Sequence, residues 1–183
     1  MIDAGTGDAR RLLRDAREDG ATLFVGVDPV AAAMADSARR AAAKPSRGGR
    51  ANVFFVVSSA EEWPPEAAGI AHRVTVRYPW GSLLRGILGR DSAVLDGIAG
   101  MLASGGRFEA IYSLTDRDGI TVPATPELAD AYAAAGLELT AHRPATVEEI
   151  DMSATTWGRR LAVGPKRPAT RVEAVRGGRQ MLD

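Results

Sequence analysis

Two glycines and two carboxylates near the amino terminus carry the first chemical signal. Asp3-Ala4-Gly5-Thr6-Gly7-Asp8-Ala9 follows an apolar stub and precedes a stretch with helical spacing. Glycine at positions 5 and 7 permits a tight turn and close approach of the backbone to a ligand, and the free N–H groups of the following helix attract polar groups. Asp28 lies 21 positions beyond Gly7, at the end of the next apolar run in Val25-Gly26-Val27-Asp28. A carboxylate there can accept hydrogen bonds from both hydroxyls of a ribose. Singly, a glycine pair is often a plain turn and an aspartate after a strand often a helix cap. Their spacing together points to a nucleoside-containing cofactor.

Asp3 narrows the choice. A pyrophosphate near this loop is repelled by an added carboxylate, whereas a cationic sulfonium with an amino-acid tail is attracted by Asp3 and Asp8. S-adenosylmethionine therefore fits better than a dinucleotide. Ala60-Glu61, after the third apolar run, falls where the adenine ring of such a cofactor would lie, with Glu61 or the adjoining backbone facing its edge. The alternative for Glu61 and Glu62 is a solvated helix start ahead of Pro64 and Pro65.

A second constellation, Tyr78-Pro79-Trp80-Gly81-Ser82-Leu83-Leu84-Arg85-Gly86, directly follows the fourth strand. Ligands of open α/β sheets bind outside the carboxyl ends of the strands, so Trp80 is placed to stack on a substrate ring. Pro79 fixes the approach of the chain, Gly81 lets backbone pass closely and Ser82 offers a hydroxyl. Trp157, in Thr155-Thr156-Trp157-Gly158-Arg159-Arg160, has arginines beside it, which suits base stacking next to phosphate contacts. Aromatic residues form only 5% of the chain, so two tryptophans outside apolar strands stand out. The competing reading is that both are core anchors.

These motifs require a frame. Apolar runs at Leu23 to Val27, Val53 to Val57, Arg73 to Arg77 and Phe108 to Leu114 predict strands, with Ile2 to Ala4 a strand stub. Helices are predicted at Ala9 to Glu18, Val30 to Ala43, Ser92 to Ala103 (closed by Ser-Gly-Gly) and Pro126 to Ala135, the last with Thr125 as N-cap and Gly136 as stop. Leu137 to Arg143 and Arg171 to Val175 alternate as strands, around a helical Thr146 to Ile150. Strands alternating with helices predict an α/β fold with a mostly parallel sheet covered on both faces.

The 183 residues suit one domain, and 45% apolar with 25% charged residues is ordinary for a folded protein. With no cysteine, disulfides, thiolate metal sites and cysteine nucleophiles are excluded. No apolar run approaches the roughly 18 residues of a membrane span, and a cytoplasmic location is expected. The formal charge is zero, yet its signs are segregated. From Ser37 to Ala60 there are five cations and no acid; from Met152 to Met181 there are seven cations against Glu173 alone. Two basic segments on an acidic body are what a polyanion-binding face looks like in sequence, although arginine could simply be abundant here.

At these residues the chain resembles the 16S rRNA (adenine-1408-N1)-methyltransferases, the kanamycin and apramycin resistance enzymes. The likeness runs through Ile-Asp-Ala-Gly-Thr-Gly-Asp at 2–8, Gly-Val-Asp at 26–28, Ala-Ala-Ala-Lys-Pro-Ser-Arg-Gly-Gly at 41–49 and Ser-Ala-Glu-Glu-Trp-Pro-Pro at 59–65. Pro-Trp-Gly-Ser-Leu-Leu-Arg-Gly at 79–86 and Thr-Trp-Gly-Arg-Arg-Leu at 156–161 are its specific blocks. The resemblance implies a Rossmann-like, class I S-adenosylmethionine-dependent methyltransferase with a seven-stranded type of sheet. It implies that Trp80 and Trp157 sandwich the flipped adenine, with Thr155 holding the second tryptophan's loop. It places cofactor contacts at Asp3, Gly5, Gly7, Asp28, Ala60, Glu61 and Ser82. It assigns docking on 16S rRNA of the 30S subunit to Lys44, Arg47, Arg50, Arg117, Arg160 and Arg167. No metal or membrane partner is expected, and a monomer is the expected state. His72 and His142 lie in no motif, so a histidine base is not expected.

The chain also departs from the pattern. Relatives carry an amino-terminal hairpin and a full first strand, whereas Met1 here stands almost at the glycine loop, and Pro165 falls where relatives tend to have a cation. Either the true start lies upstream, or the chain is a single methyltransferase domain over 1–183 without that hairpin, with a truncated first strand that exposes sheet edges and apolar surface. Two other functions fit the same residues: a methyltransferase acting on a small molecule, and a degenerate ribosome-binding homologue without catalysis.

Overall fold

The computed structural model describes residues 1–164 and 167–178. Seven strands form one sheet: β1 (Ile2–Ala4), β2 (Phe24–Val27), β3 (Val53–Val56), β4 (Ala71–Arg77), β5 (Leu102–Tyr112), β6 (Leu137–Pro144) and β7 (Thr170–Arg176). Their order is β3-β2-β1-β4-β5-β7-β6. The first five are parallel, and β7 runs antiparallel between β5 and β6. The helices are α1 (Arg10–Glu18), α2 (Ala31–Ala41), α3 (Gly81–Ile87), α4 (Ser92–Met101), α5 (Thr125–Ala134), α6 (Val147–Met152) and α7 (Thr156–Arg160).

The apolar runs form strands because both faces of a parallel sheet are covered. Phe24, Val27, Val74, Val76, Phe108 and Ala110 are all at most 1% exposed. The main core lies where α4 brings Val94, Leu95, Ile98 and Met101 against the sheet. On the other side of β2, Leu12 and Ala16 of α1 pack with Phe24 and Val53. The chain runs outward from β1 to β3 and then returns to β4, so β1 and β4 mark the switch point where a ligand crevice opens beyond the strand ends. Both sequence motifs sit there, one after β1 and one after β4.

The sheet agrees with expectation; the expected open edge at the first strand is absent, because β1 pairs with β2 and β4, and several boundaries also differ. The helix begun at Ser92 stops at Met101, and Ser104-Gly105-Gly106 lies within β5. There the register against β4 jumps from Ala71↔Leu102 to Arg73↔Arg107, and Gly105 takes φ 73°. Glycine here relieves a bulge. Ala124, not Thr125, is the N-cap of α5, its N–H donating to the Glu127 carboxylate at 3.2 Å. α3 and α7 are short helices within the two tryptophan motifs, where the sequence pattern predicts none.

The three residues of β1 are buried and pair on both sides. Met1 extends the pairing with β2: its carbonyl accepts from the Val25 N–H at 2.9 Å and its ammonium donates to the Leu23 carbonyl at 2.8 Å. Burial, and then Arg73, push that ammonium's pKa down. Leu23 and Ile70, just before the strands flanking β1, are exposed. Among the described residues no helix is long and apolar enough to cross a membrane, and no group of three or more histidines and acids could hold a metal ion.

Candidate active site

The turn after β1 is built for close backbone approach. Gly5 has φ 70°, and a Cβ there would stand 2.6 Å from Leu83 Cδ2 of α3. The N–H groups of Gly5 and Thr6 both donate to the Val27 carbonyl, at 2.8 and 3.0 Å, clamping the turn to the end of β2. Asp28 is 9% exposed and accepts from the Gly7 and Val30 N–H groups, each at 2.9 Å, one on each oxygen. A carboxylate has about four lone-pair sites, so two stay open towards the cavity, as many as a ribose diol needs.

Asp3 has another part to play than the one its charge suggested. One of its oxygens accepts from Thr75 Oγ1 at 2.6 Å and Arg77 Nη1 at 2.8 Å, the other from Thr6 Oγ1 at 2.9 Å. The guanidinium neutralises the carboxylate, so attraction of a sulfonium by Asp3 does not decide the cofactor. Asp3 lines the cleft and also ties the turn to β4.

Ala60 and Glu61 line the same cavity, as do Gly7 and Ser82. Gly97 of α4 fixes their turn: a Cβ at 97 would stand 1.9 Å from the Ala60 carbonyl oxygen. Partial burial pushes the Glu61 carboxyl up, but its own backbone N–H, then the Ser82 and Ser59 hydroxyls, outweigh this and hold it below the ordinary range. Glu61 is thus an exposed, ionised acceptor in a turn, and the predicted helix start is a single 3-10 turn, Pro65–Ala67.

Trp80 and Trp157 line one cavity of about 550 Å³, whose other wall is the glycine turn. They are 76% and 45% exposed, so neither is a core anchor; Trp63 is the tryptophan that packs on the core. Trp80 is the N-cap residue of α3. Trp157 is held in α7, where Thr155 Oγ1 accepts from the Gly158 N–H at 2.9 Å and so caps the helix. Two exposed indoles lining one cleft offer faces on which a planar ring can stack.

A family model described as NpmA, 16S rRNA (adenine(1408)-N(1))-methyltransferase, matches residues 1–176. The chain belongs to this family. A 16S rRNA (adenine(1408)-N(1))-methyltransferase of Escherichia coli is 33% identical, over 93% of this chain and 84% of the relative. Its counterpart in Streptoalloteichus hindustanus is 36% identical, over 88% and 79%. Among solved structures, a variant of the enzyme from Catenulisporales acidiphilia with the cosubstrate SAM superposes with a TM-score of 0.82 at 33% identity, covering 98% of this chain and 86% of that one. The 16S rRNA methyltransferase KamB superposes with 0.83 at 31%, covering 97% and 87%.

S-adenosylmethionine is the cosubstrate of this methyltransferase family, and the residues present fit it. Asp28 lines the cleft beside the turn and keeps acceptor capacity for ribose hydroxyls. No neighbour lies within 4 Å of where a Gly7 Cβ would be, which leaves the turn open, and a cleft of this size is ordinary for such a ligand.

The basic residues divide. Lys44 and Arg47 are exposed at the 3-10 turn Pro45–Arg47, and Arg160 is exposed at the rim of the cleft. Arg50 is half-buried, with Nη1 on the Gly49 carbonyl at 2.8 Å. Arg167 is turned inward, donating to Asp118 at 2.5 Å and to the Ser113 carbonyl at 3.3 Å, so its charge is largely spent. Arg171, counted in the second basic segment, is paired with Glu109 and Glu173. The Arg117 side chain, Pro165, Lys166 and Arg179 lie outside the described residues.

The sequence reading missed Arg10, which lines the cleft, and the network behind the site. Arg77 bridges Asp3 and Asp15, Asp15 binds Arg11 at 2.6 Å, and Arg11 donates to the Met152 carbonyl at the end of α6. Burial pushes the Asp15 carboxyl up against the opposing pull of Arg77 and Arg11. These residues are far apart in sequence and belong to no motif, so only their placement joins them.

Proposed function

We propose that this chain methylates N1 of adenine-1408 in 16S rRNA of the assembled 30S subunit, and so protects the ribosome from aminoglycosides. The carrying observation is that Trp80 and Trp157 line one cleft together with the glycine turn. The cosubstrate supplies an electrophilic methyl: the N1 lone pair forms the new C–N bond while the S–C bond breaks with its electrons passing to sulfur.

N1 already carries its lone pair, so no base is required and positioning supplies the catalysis. Flipping the adenine costs a few kcal/mol of unstacking, and two indole faces at about 1–3 kcal/mol each offset it. Trp80 and Trp157 then hold the cationic product ring between π-faces. Asp28 receives the ribose hydroxyls, the Ala60-Glu61 turn meets the edge of the cosubstrate's adenine, and Ser82 closes the end of the cleft near Trp80. Asp3, Gly5 and Gly7 shape the turn, and Thr155 steadies Trp157. Lys44, Arg47, Arg50 and Arg160 dock on rRNA phosphates. The added methyl and positive charge then stand where an aminoglycoside would bind.

The test is primer extension on 16S rRNA from 30S subunits incubated with the chain and S-adenosylmethionine. A stop at adenine-1408 is expected. Read-through at that position, with active relatives as controls, would overturn the assignment.

A further inference from the structure

Tyr78 adopts φ 52°, the left-handed region that a bulky residue avoids. Such strain persists only where the surroundings over-determine it, and it gathers at functional sites. Here the Tyr78 N–H donates to the Ile111 carbonyl at 2.7 Å, and the ring is 3% exposed in a cluster with Ile111, Val163 and Ala169. The chain then turns through Pro79 to Trp80. The ring also meets α7: a Cβ on Gly158 would stand 2.6 Å from Tyr78 Cε2 and 2.7 Å from Cδ2. Gly158 directly follows Trp157. The one ring therefore touches the helix that carries one indole and begins the loop that carries the other.

We propose that Tyr78 is a positioning residue whose ring is the spacer that sets the gap between Trp80 and Trp157. A base sandwiched between two indoles needs them roughly 7 Å apart, twice an ordinary carbon contact. Neither indole is buried enough to fix its own position, so the separation is set beneath them. The Tyr78 ring, with its Cδ2–Cε2 edge against the bare glycine at 158, sets how far α7 stands from the β4–α3 loop. Burial pushes the Tyr78 hydroxyl up to about 12, so the side chain acts as a neutral slab and not as an acid or base. The inference rests on the methyltransferase reading above and adds how the target base is gripped.

The test uses the full chain with 30S subunits and S-adenosylmethionine, measuring single-turnover methyl transfer beside separate affinities for cosubstrate and subunit. Tyr78→Phe keeps the slab and should stay within about twofold of the parent rate. Tyr78→Leu and Gly158→Ala should each lower the rate about tenfold or more, with both affinities within about twofold. The combined Tyr78→Leu, Gly158→Ala variant should be faster than Gly158→Ala, because the ring edge no longer meets the added methyl. If Gly158→Ala does not fold, the Phe and Leu variants carry the comparison. A Phe variant as slow as the Leu variant, a Leu variant as fast as the parent, a double variant no faster than Gly158→Ala, or a parallel loss of cosubstrate affinity overturns the spacer. An inactive parent chain overturns the methyltransferase reading and the spacer with it, whereas an active parent with an equally active Leu variant overturns the spacer alone.

Discussion

Gly97 of α4 meets Ala60 so closely that a Cβ at position 97 would stand 1.9 Å from the Ala60 carbonyl oxygen and 2.7 Å from its carbon. Both neighbours are backbone, so nothing flexible can yield. Gly97→Ala must therefore shift backbone, displacing the Ala60-Glu61 turn relative to α4. We expect S-adenosylmethionine affinity to fall about tenfold or more, read by calorimetry. Unchanged affinity would mean that the turn does not meet the cosubstrate.

Arg77 supports the glycine turn by charge. Its partners Asp3 and Asp15 keep only 6% and 13% of their side-chain surface exposed. Removing one member of a buried pair costs about 3–5 kcal/mol, mostly from the charge left unpaired. Arg77→Met should show a loss of that size in urea unfolding, and adding Asp3→Asn should restore part of it. No recovery would place the damage in packing and not in charge.

Trp157 lies outside the core, so removing its ring should leave the fold and the cosubstrate end of the cleft unchanged. Trp157→Ala is expected to abolish the primer-extension stop while calorimetry still detects S-adenosylmethionine. Equal loss of both would make the tryptophan a structural residue.

Lys44 and Arg160 are exposed and close no ion pair among the described residues. Each alanine variant should reduce the salt dependence of 30S binding, flattening the log–log slope by about 0.7–0.9 for every phosphate that is no longer neutralised. A parent protein whose substrate binding ignores salt would instead favour a small-molecule substrate.

Glu149 sets an acid limit on α6, the helix that leads into Trp157. Hydrogen bonds from Arg143, then from the Thr146 N–H, hold its carboxyl down to about 2. A carboxylate depressed on folding stabilises above its unfolded pKa of about 4.3, and that stabilisation is lost as pH falls towards about 2. Between about pH 5 and about pH 2, urea midpoints of the parent should therefore drop by more than those of Glu149→Gln. Equal drops would remove Glu149 from the account.

The strands were readable because burial on both faces writes continuous apolar runs, and the glycine turn, Asp28 and the two tryptophans because their spacing is short or regular. α3 and α7, of seven and five residues, were not readable as helices, since so few turns leave no periodicity. Ser104-Gly105-Gly106 looks like a helix stop on its own and becomes a bulge only because β4 lies beside it.

By itself the sequence determined the family, the sheet, the glycine turn and the two exposed tryptophans, because each is carried by neighbours along the chain. Only the tertiary structure decided that Asp3 is neutralised by Arg77, that Arg167 and Arg171 face inward on acids, and that Gly97 and Gly158 must lack side chains. Those glycines answer to Ala60 and Tyr78, which lie 37 and 80 positions away. Charge pairing and steric exclusion act over a few ångströms in space, whatever the distance along the chain, so no local pattern records them.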